Sequence, residues 1–530
     1  MKKLNSLFLA LALLLCGTAQ AQNSGPYLEE LYDVEVQQNV VYGFNATILP
    51  LIFGGPEAVQ QPLIADVYTP VGDDNGARPL MLVMHTGNFL PFPQNNGTGG
   101  TIRDSTVVEV CTRLAKRGYV AAAIDYRLGW NPLDESQDIR KFLLINAAYR
   151  GVQDCRTAAR FFRANAVDGT NPFNINPDAI GTWGIGTGGY IAAAVATLDE
   201  YQEVVIPKFI IDLDGPGPQP AVPMVLESVN GDINGTSVGI VPPGYPAPFV
   251  EGDTLCYPNH VNYADGTPIS SDVQFTVNNG GALGDISWLD ENVAPWVSFH
   301  VPSDPFAPYM TGILTVPGTG DPEDPSDDFP VVEVSGSYDI QAQMNNLGFN
   351  DIFNSIGSAV IDYSEVADAR NDGNEGLFPF PNDYEANSSA PWDFYADDNP
   401  NVLNGVNPEA DPVRARTYWD TIFAYTSPRA CLALNLECQG ITSVEELQVN
   451  QLTGLTAAPN PASTEVRISA NEDFPIQAVE VYDMSGRLVR DLTQVNANSF
   501  TLQRNGLNKG MYFLKVHFEA GVGVQKVLFE

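Results

Sequence analysis

The sequence predicts an α/β domain, a mostly parallel sheet with helices on both faces, followed by a small antiparallel β-sandwich. Three observations carry this. From Pro79 to Leu198, apolar runs of strand type alternate with segments of helical periodicity, the pattern of strands joined by crossover helices. Beyond Ala457 the pattern becomes short period-two runs broken by turn residues. A polar connector, residues 440–456, separates the two.

At the front, Lys2 and Lys3 precede an apolar run, Leu7 to Leu15, and the small-x-small triplet Ala19-Gln20-Ala21. This is the layout of a removable signal peptide over residues 1–21. A lipoprotein signal modified at Cys16 is the alternative, disfavoured by the bulky Leu15 before it. The apolar run is shorter than the ~20 residues a membrane-spanning helix needs. Residues 22–439 then form the α/β domain, with an insertion near 215–270.

Within that domain, Pro79 to His85 reads as a buried strand. Asp104 to Arg117 reads as a helix, with Val107, Val110, Cys111 and Leu114 on one face and Gly118 as its C-cap. Tyr119 to Tyr126 is a second strand, 147–165 an amphipathic helix, Ala179 to Trp183 a third strand and Tyr190 to Leu198 a small-residue helix. In the tail, Val466–Ile468, Val479–Tyr482, Tyr512–Val516 and Val524–Leu528 are the alternating strands, with turns at Ser485-Gly486 and Lys509-Gly510.

The formal charge is −38; residues 1–21 contribute +2 and 457–530 contribute −1, which leaves −39 for the region between. So acidic a surface repels nucleic acid and anionic lipid. Calcium in acidic loops such as Asp321–Asp324 has no supporting ligand spacing. Five cysteines follow the signal: Cys111, Cys155, Cys256, Cys431 and Cys438. No CxxC or Cys/His cluster suggests a metal, and none is expected. Cys431 and Cys438 are close enough to close a small disulfide loop in an oxidising compartment, whereas Cys111 and Cys155 fall in helices and fit equally as buried thiols.

Three tail segments carry a resemblance: Ala458-Pro459-Asn460-Pro461-Ala462-Ser463, then Tyr482-Asp483-Met484-Ser485-Gly486-Arg487-Leu488-Val489, then Leu507-Asn508-Lys509-Gly510-Met511-Tyr512. Residues 457–530 are similar to the C-terminal sorting domain of type IX secretion substrates in the Bacteroidetes. The resemblance implies handling by the type IX machinery, a route through the periplasm and across the outer membrane, and then release or attachment at the cell surface, with a surface polysaccharide as the anchor.

In a parallel sheet, the loops at the carboxyl ends of the strands hold the site. Here they read His85-Thr86-Gly87-Asn88-Phe89, Asp125-Tyr126-Arg127-Leu128-Gly129 and Gly184-Ile185-Gly186-Thr187-Gly188-Gly189. With the later segment Trp296 to Tyr309, which contains Asp304, they resemble the α/β-hydrolase esterases over roughly residues 35–435. The resemblance implies oxyanion-hole amides at Gly87 and Thr187, a G-x-S-x-G nucleophile elbow at 184–188 and the triad acid at Asp304.

The departures fall on the reactive positions. Gly186 stands where the elbow serine belongs, so the nucleophile has no side chain. A triad histidine should follow the acid, yet after Asp304 the only histidine is His517, inside the tail. Leu377, in Gly373-Asn-Glu-Gly376-Leu377-Phe378-Pro379, is the candidate vacated position. His85 and His300 lie on strand ends and read as structural. The run Gly184-x-Gly186-x-x-Gly189, with Asp212 further on, also fits a dinucleotide fingerprint, but that motif opens the first βαβ unit of its domain, and here at least two units precede it. No cofactor is expected. The sequence therefore points to an exported, catalytically degenerate esterase-fold protein that holds an unidentified small-molecule or polymer ligand or serves surface structure. The alternative is an active carboxylesterase with a non-standard catalytic set.

Overall fold

The structure is a computed structural model. It describes residues 25–529 except 74–75, 96–98, 213–220, 291–292, 317–327, 358–359, 361, 382–388, 395–411, 439–440, 442–452, 484–486 and 520. The signal segment 1–21, the acidic loop 321–324, most of the connector and the Ser485-Gly486 turn therefore lie outside the described residues. These residues form two compact units, one of Pro26–Asn350 with Asp362–Glu437, the other of Cys438–Glu530 with Asp351–Ile361.

The larger unit is built on one eight-stranded sheet. Its strands are β1 (Asp33–Thr47), β2 (Val59–Val71), β3 (Arg78–Met84), β4 (Val120–Ile124), β5 (Ile175–Ile185), β6 (Phe275–Asn279), β7 (Trp296–His300) and β8 (Leu377–Pro379). They lie in the order β1-β2-β4-β3-β5-β6-β7-β8. The β2 strand is antiparallel to both neighbours, and every pairing from β4 to β8 is parallel. Strands β3 and β4 are buried along their whole length, which is why they read as unbroken apolar runs.

The helices that matter for the site are α1 (Ser105–Lys116), α2 (Gln137–Val167), α3 (Thr187–Thr197), α4 (Ser337–Leu347) and α5 (Pro412–Ala433). The expected strands and helices are all present. The largest difference is α2, which runs 31 residues rather than the nineteen of 147–165, and buries nearly all its sides rather than one. Its polar residues explain this, because they are bonded inside the protein rather than facing water. Asn146 Nδ2 donates to Met224 O, Gln153 Nε2 to Asn230 O and Asp232 O, and Arg163 to Pro177 O and Ser270 O. The insertion near 215–270 is thus fastened along α2 by its own backbone carbonyls, whose unmet acceptors would otherwise be costly to bury.

Cys431 and Cys438 are both disulfide-bonded. Cys111, Cys155 and Cys256 are buried free thiols.

In the smaller unit, a sheet of Thr456–Ala458, Glu465–Ser469 and Ser499–Gln503 and a sheet of Ile476–Tyr482, Leu488–Ala497, Gly510–Phe518 and Gly521–Phe529 are each antiparallel. Val466, Ile468 and Leu502 of one share a core with Val479, Val481, Leu514, Val516 and Val527 of the other. This is the expected sandwich. Among the described residues no helix is long and apolar enough to cross a membrane.

Candidate active site

The turn from β5 into α3 is set by its glycines. A Cβ at Gly184 would lie 2.0 Å from Gly188 O, one at Gly188 2.4 Å from Met84 O, and one at Gly189 2.3 Å from Asn278 Oδ1. Strand and helix therefore approach more closely than any side chain permits. Gly186 has a different reason. Its backbone is at φ 53°, ψ −114°, a strained conformation outside the regions L-residues favour. Its N–H donates to Asn279 O (2.7 Å), and its carbonyl accepts from Gly189 N (2.8 Å). The strand turns sharply into the helix at a residue that has no side chain.

The space a side chain would need there is already taken. An ideal Cβ on Gly186 would sit 2.3 Å from Thr86 Oγ1 and 3.0 Å from Thr86 Cβ. Thr86 lies in the loop after β3, so the hydroxyl that meets Gly186 comes from the neighbouring loop. No pattern in the sequence couples positions a hundred apart; only the fold does.

Gly87 and Thr187 are brought near one another. Thr187 Oγ1 accepts the Asn88 N–H at 2.8 Å, so the threonine side chain ties down the loop that carries Gly87. Gly87 is held at φ 126°, and a Cβ there would meet Gly100 Cα at 2.8 Å. At the first position of α3 the Thr187 N–H has no intrahelical acceptor, as helix geometry dictates.

Asp304 follows β7. Its Oδ1 accepts from Phe306 N (2.7 Å) and Ala307 N (3.1 Å), and its side chain is 2% exposed. Burial pushes its carboxyl up to about 8, against the two backbone hydrogen bonds that lower it. Gly280, next to the Asn279 that anchors Gly186, would bring a Cβ to 3.8 Å from Asp304 Oδ2 and 3.5 Å from the Trp392 ring. Asp304 and Trp392 therefore both flank Gly280, the residue after the one that anchors Gly186.

Leu377 is not placed with them. It is the first residue of β8, buried, and pairs with Ser298 in mid-β7, two residues short of the carboxyl end at Pro379. The residue that leaves that end is Phe380, whose N–H donates to His300 O and whose ring packs on Trp392 and Tyr418. The segment 382–388 that follows lies outside the described residues.

Two histidines lie nearby, His300 with Nε2 3.9 Å from Asp304 Oδ2 and His85 with Nε2 3.6 Å from Asp125 Oδ1. His300 is fully buried, with Nδ1 at 2.8 Å from Ser337 Oγ and Nε2 at 3.0 Å from Ala307 O; burial pushes it down to about 4. His85 stacks on Tyr126 (4.4 Å between centroids), and its Nδ1 contacts Thr86 O at 2.5 Å. A cleft of about 60 Å³ opens beside the elbow, lined by Thr86, Asp104, Thr106, Ile185, Asp393 and Phe394. Thr106 Oγ1 donates to Asp393 Oδ1 across it (2.8 Å). Among the described residues no group of His, Cys, Asp or Glu is arranged to hold a metal ion.

Residues 65–215 match the BD-FAE family model, an esterase-like α/β-hydrolase domain. Residues 456–530 match the secretion-system C-terminal sorting domain, which marks the chain for export by type IX secretion to the cell surface or beyond. Solved structures similar to the chain include Thermogutta terrifontis esterase 2 phosphorylated by paraoxon (16% identity, 54% of this chain and 77% of that one, TM-score 0.28). They also include the propionate-bound form of that esterase (16%, 53% and 77%, 0.26) and a hyperthermophilic esterase from Pyrobaculum calidifontis (24%, 32% and 40%, 0.19). No curated protein matches the chain. The dinucleotide reading finds no support in the topology: the glycine run follows the fifth strand, and Asp212 follows a two-residue strand that pairs with Val222–Pro223 outside the main sheet.

Proposed function

We propose that the protein is an exported α/β-hydrolase-fold protein without serine-esterase catalysis, retained for ligand binding or surface structure. A signal peptide over residues 1–21 delivers it to the periplasm, and the tail passes it outward in a Bacteroidetes-type system, with release or anchoring on a surface polysaccharide. The observation that carries the reading is at Gly186: the elbow backbone holds no side chain, and Thr86 Oγ1 fills the volume one would need. The histidine beside Asp304, His300, has its ring nitrogens held against Ser337 Oγ and Ala307 O, so on this reading the acid orients no base toward the elbow. Backbone amides at Gly87 and Thr187 do not depend on side-chain identity, so they remain able to hold a carbonyl or an oxyanion. The ligand is a small molecule or polymer end bearing such a group, seated in the cleft beside Thr86. Fluorophosphonate labelling and turnover of short-chain aryl esters test the reading. Neither is expected from the unmodified protein, and a covalent adduct on the α/β unit would refute it.

A second reading, an active ester hydrolase with a non-standard catalytic set, draws on one observation: a hydroxyl does lie at the nucleophile position, on Thr86. Thr86→Val separates the two, because it keeps the shape and removes the hydroxyl. Ester turnover abolished by that change alone would favour the second reading.

A further inference from the structure

The loop after β3 folds back on itself. Leu90 N donates to Gly87 O at 2.9 Å, so Gly87 to Leu90 form a β-turn. Both central residues are left-handed, Asn88 at φ 55° and Phe89 at φ 53°. That is the pattern of a type I′ turn, whose central positions belong to glycine, asparagine and aspartate. Asn88 suits its place; Phe89 is strained in its own. The residue is not loose, being 4% exposed with its ring edge-on to Tyr126 at 6.2 Å between centroids. Backbone in such a region persists only where its surroundings impose it, and it collects at ligand-binding turns.

The contacts that impose it come from two sides. From the loop after β4, the Trp130 indole N–H donates to Asn88 O at 2.6 Å and Gly129 N donates to Phe89 O at 2.8 Å. From α3, at the end of β5, Thr187 Oγ1 accepts the Asn88 N–H at 2.8 Å. In a trans peptide unit the N–H points opposite to the C=O. Trp130, by holding Asn88 O, therefore turns the Phe89 N–H away from the β4 loop. In the strand order β4-β3-β5, the other side is that of β5 and the Gly186 turn. Among the described residues nothing accepts the Phe89 N–H.

We propose that the Phe89 N–H is a ligand donor of the candidate site and that Trp130 is the positioning residue that aims it. The alternative conformation shows why. Turning the peptide unit between Asn88 and Phe89 by half a rotation converts type I′ into type II′, which leaves Asn88 at positive φ and takes Phe89 to about −80°. That form relieves Phe89, but it breaks the Trp130 bond and points a carbonyl where the N–H was. The indole thus holds the strained form, and the strained form offers a donor toward the Gly186 turn. A donor suits a ligand oxygen that carries no hydrogen. The cleft beside Thr86 is lined by the carboxylates of Asp104 and Asp393, so charge favours an uncharged acyl carbonyl over a carboxylate. The ligand part rests on the binding reading proposed above; the hold of Trp130 on the turn does not.

Two measurements on the full chain test this. The first is the crystal structure of Trp130→Phe, which keeps a ring and removes the N–H. Phe89 is expected at negative φ there, and a Phe89 still at positive φ would overturn the role of Trp130. The second is nuclear magnetic resonance of the protein labelled with heavy nitrogen at its phenylalanines, the Phe89 amide signal being identified by its loss in Phe89→Leu. The probe is N-methylacetamide, an uncharged carbonyl compound. It is expected to shift the Phe89 signal saturably, and Trp130→Phe should need about tenfold more probe for the same shift, the equivalent of one lost hydrogen bond. A probe that moves other signals and leaves that of Phe89 in place would overturn Phe89 as a donor. A probe that moves none would refute the binding reading instead, while the crystal structure would still decide the orientation. Should Trp130→Phe fail to fold, the response of the Phe89 signal in the unmodified chain decides.

Discussion

Restoring a serine at position 186 should be costly, and the cost should sit in one neighbour. The expected effect of Gly186→Ser has two parts. A non-glycine residue at φ 53°, ψ −114° carries backbone strain of about 1–3 kcal/mol. A Cβ placed 2.3 Å from Thr86 Oγ1 must displace that threonine, an overpacking term of about 1–3 kcal/mol. Thr86→Gly removes the obstruction and leaves only the strain. The double variant should therefore recover about 1–3 kcal/mol relative to the sum of the single changes, well above the ~0.5 kcal/mol at which independent sites fail to add. The assay is urea unfolding followed by tryptophan fluorescence. All six tryptophans, at 130, 183, 288, 296, 392 and 419, belong to the larger unit, so the signal reports the unit that carries the change. Additive single changes would mean that Thr86 does not occupy the serine's volume, and the argument from steric replacement would fail.

Other outcomes follow from the same structure. Because the folded Asp304 carboxyl is pushed up to about 8, above its ordinary value, the native state binds the extra proton between about pH 4 and 8. Stability from this group is therefore lost as pH rises through that window, by at most about 1.4 kcal/mol per pH unit. Asp304→Asn should flatten the urea midpoint between pH 5 and 8, and an unchanged slope would show that the group titrates normally. Asp154→Asn should destabilise by about 3–5 kcal/mol, since it strands Arg127 as a buried charge; a loss under 1 kcal/mol would contradict that. A chain ending at Gln451 should fold and accumulate in the periplasm, and its appearance on the cell surface at normal levels would sink the role assigned to the tail.

Local pattern made much of the sheet legible. The buried strands β3 and β4 are largely apolar because both faces are covered, and the glycines of 184–189 announce a turn too tight for side chains. The first hairpin was harder to see: β1 and β2 run 15 and 13 residues, but most of β1 is exposed, so its period is weak. The extent of α2 was hidden by its arginines and asparagine, which read as a solvent face and are instead bonded to the insertion. At the site, the glycine at position 186 and the lack of a histidine between Asp304 and the tail are legible as facts of sequence. What fills the gap was not. Thr86 meets Gly186, and Trp392 flanks Gly280, through approaches between residues a hundred or more apart, which no periodicity encodes. Leu377 opens β8, a three-residue strand too short for its ends to be fixed by pattern.

The most direct test of the central claim is intact-mass analysis of the unmodified protein after exposure to a fluorophosphonate, alongside its turnover of an aryl acetate. With Gly186 bare and no histidine base, the mass should stay unchanged and the ester should hydrolyse no faster than in buffer. A stoichiometric adduct, or turnover that disappears in Thr86→Val or Asp304→Asn, would contradict the account.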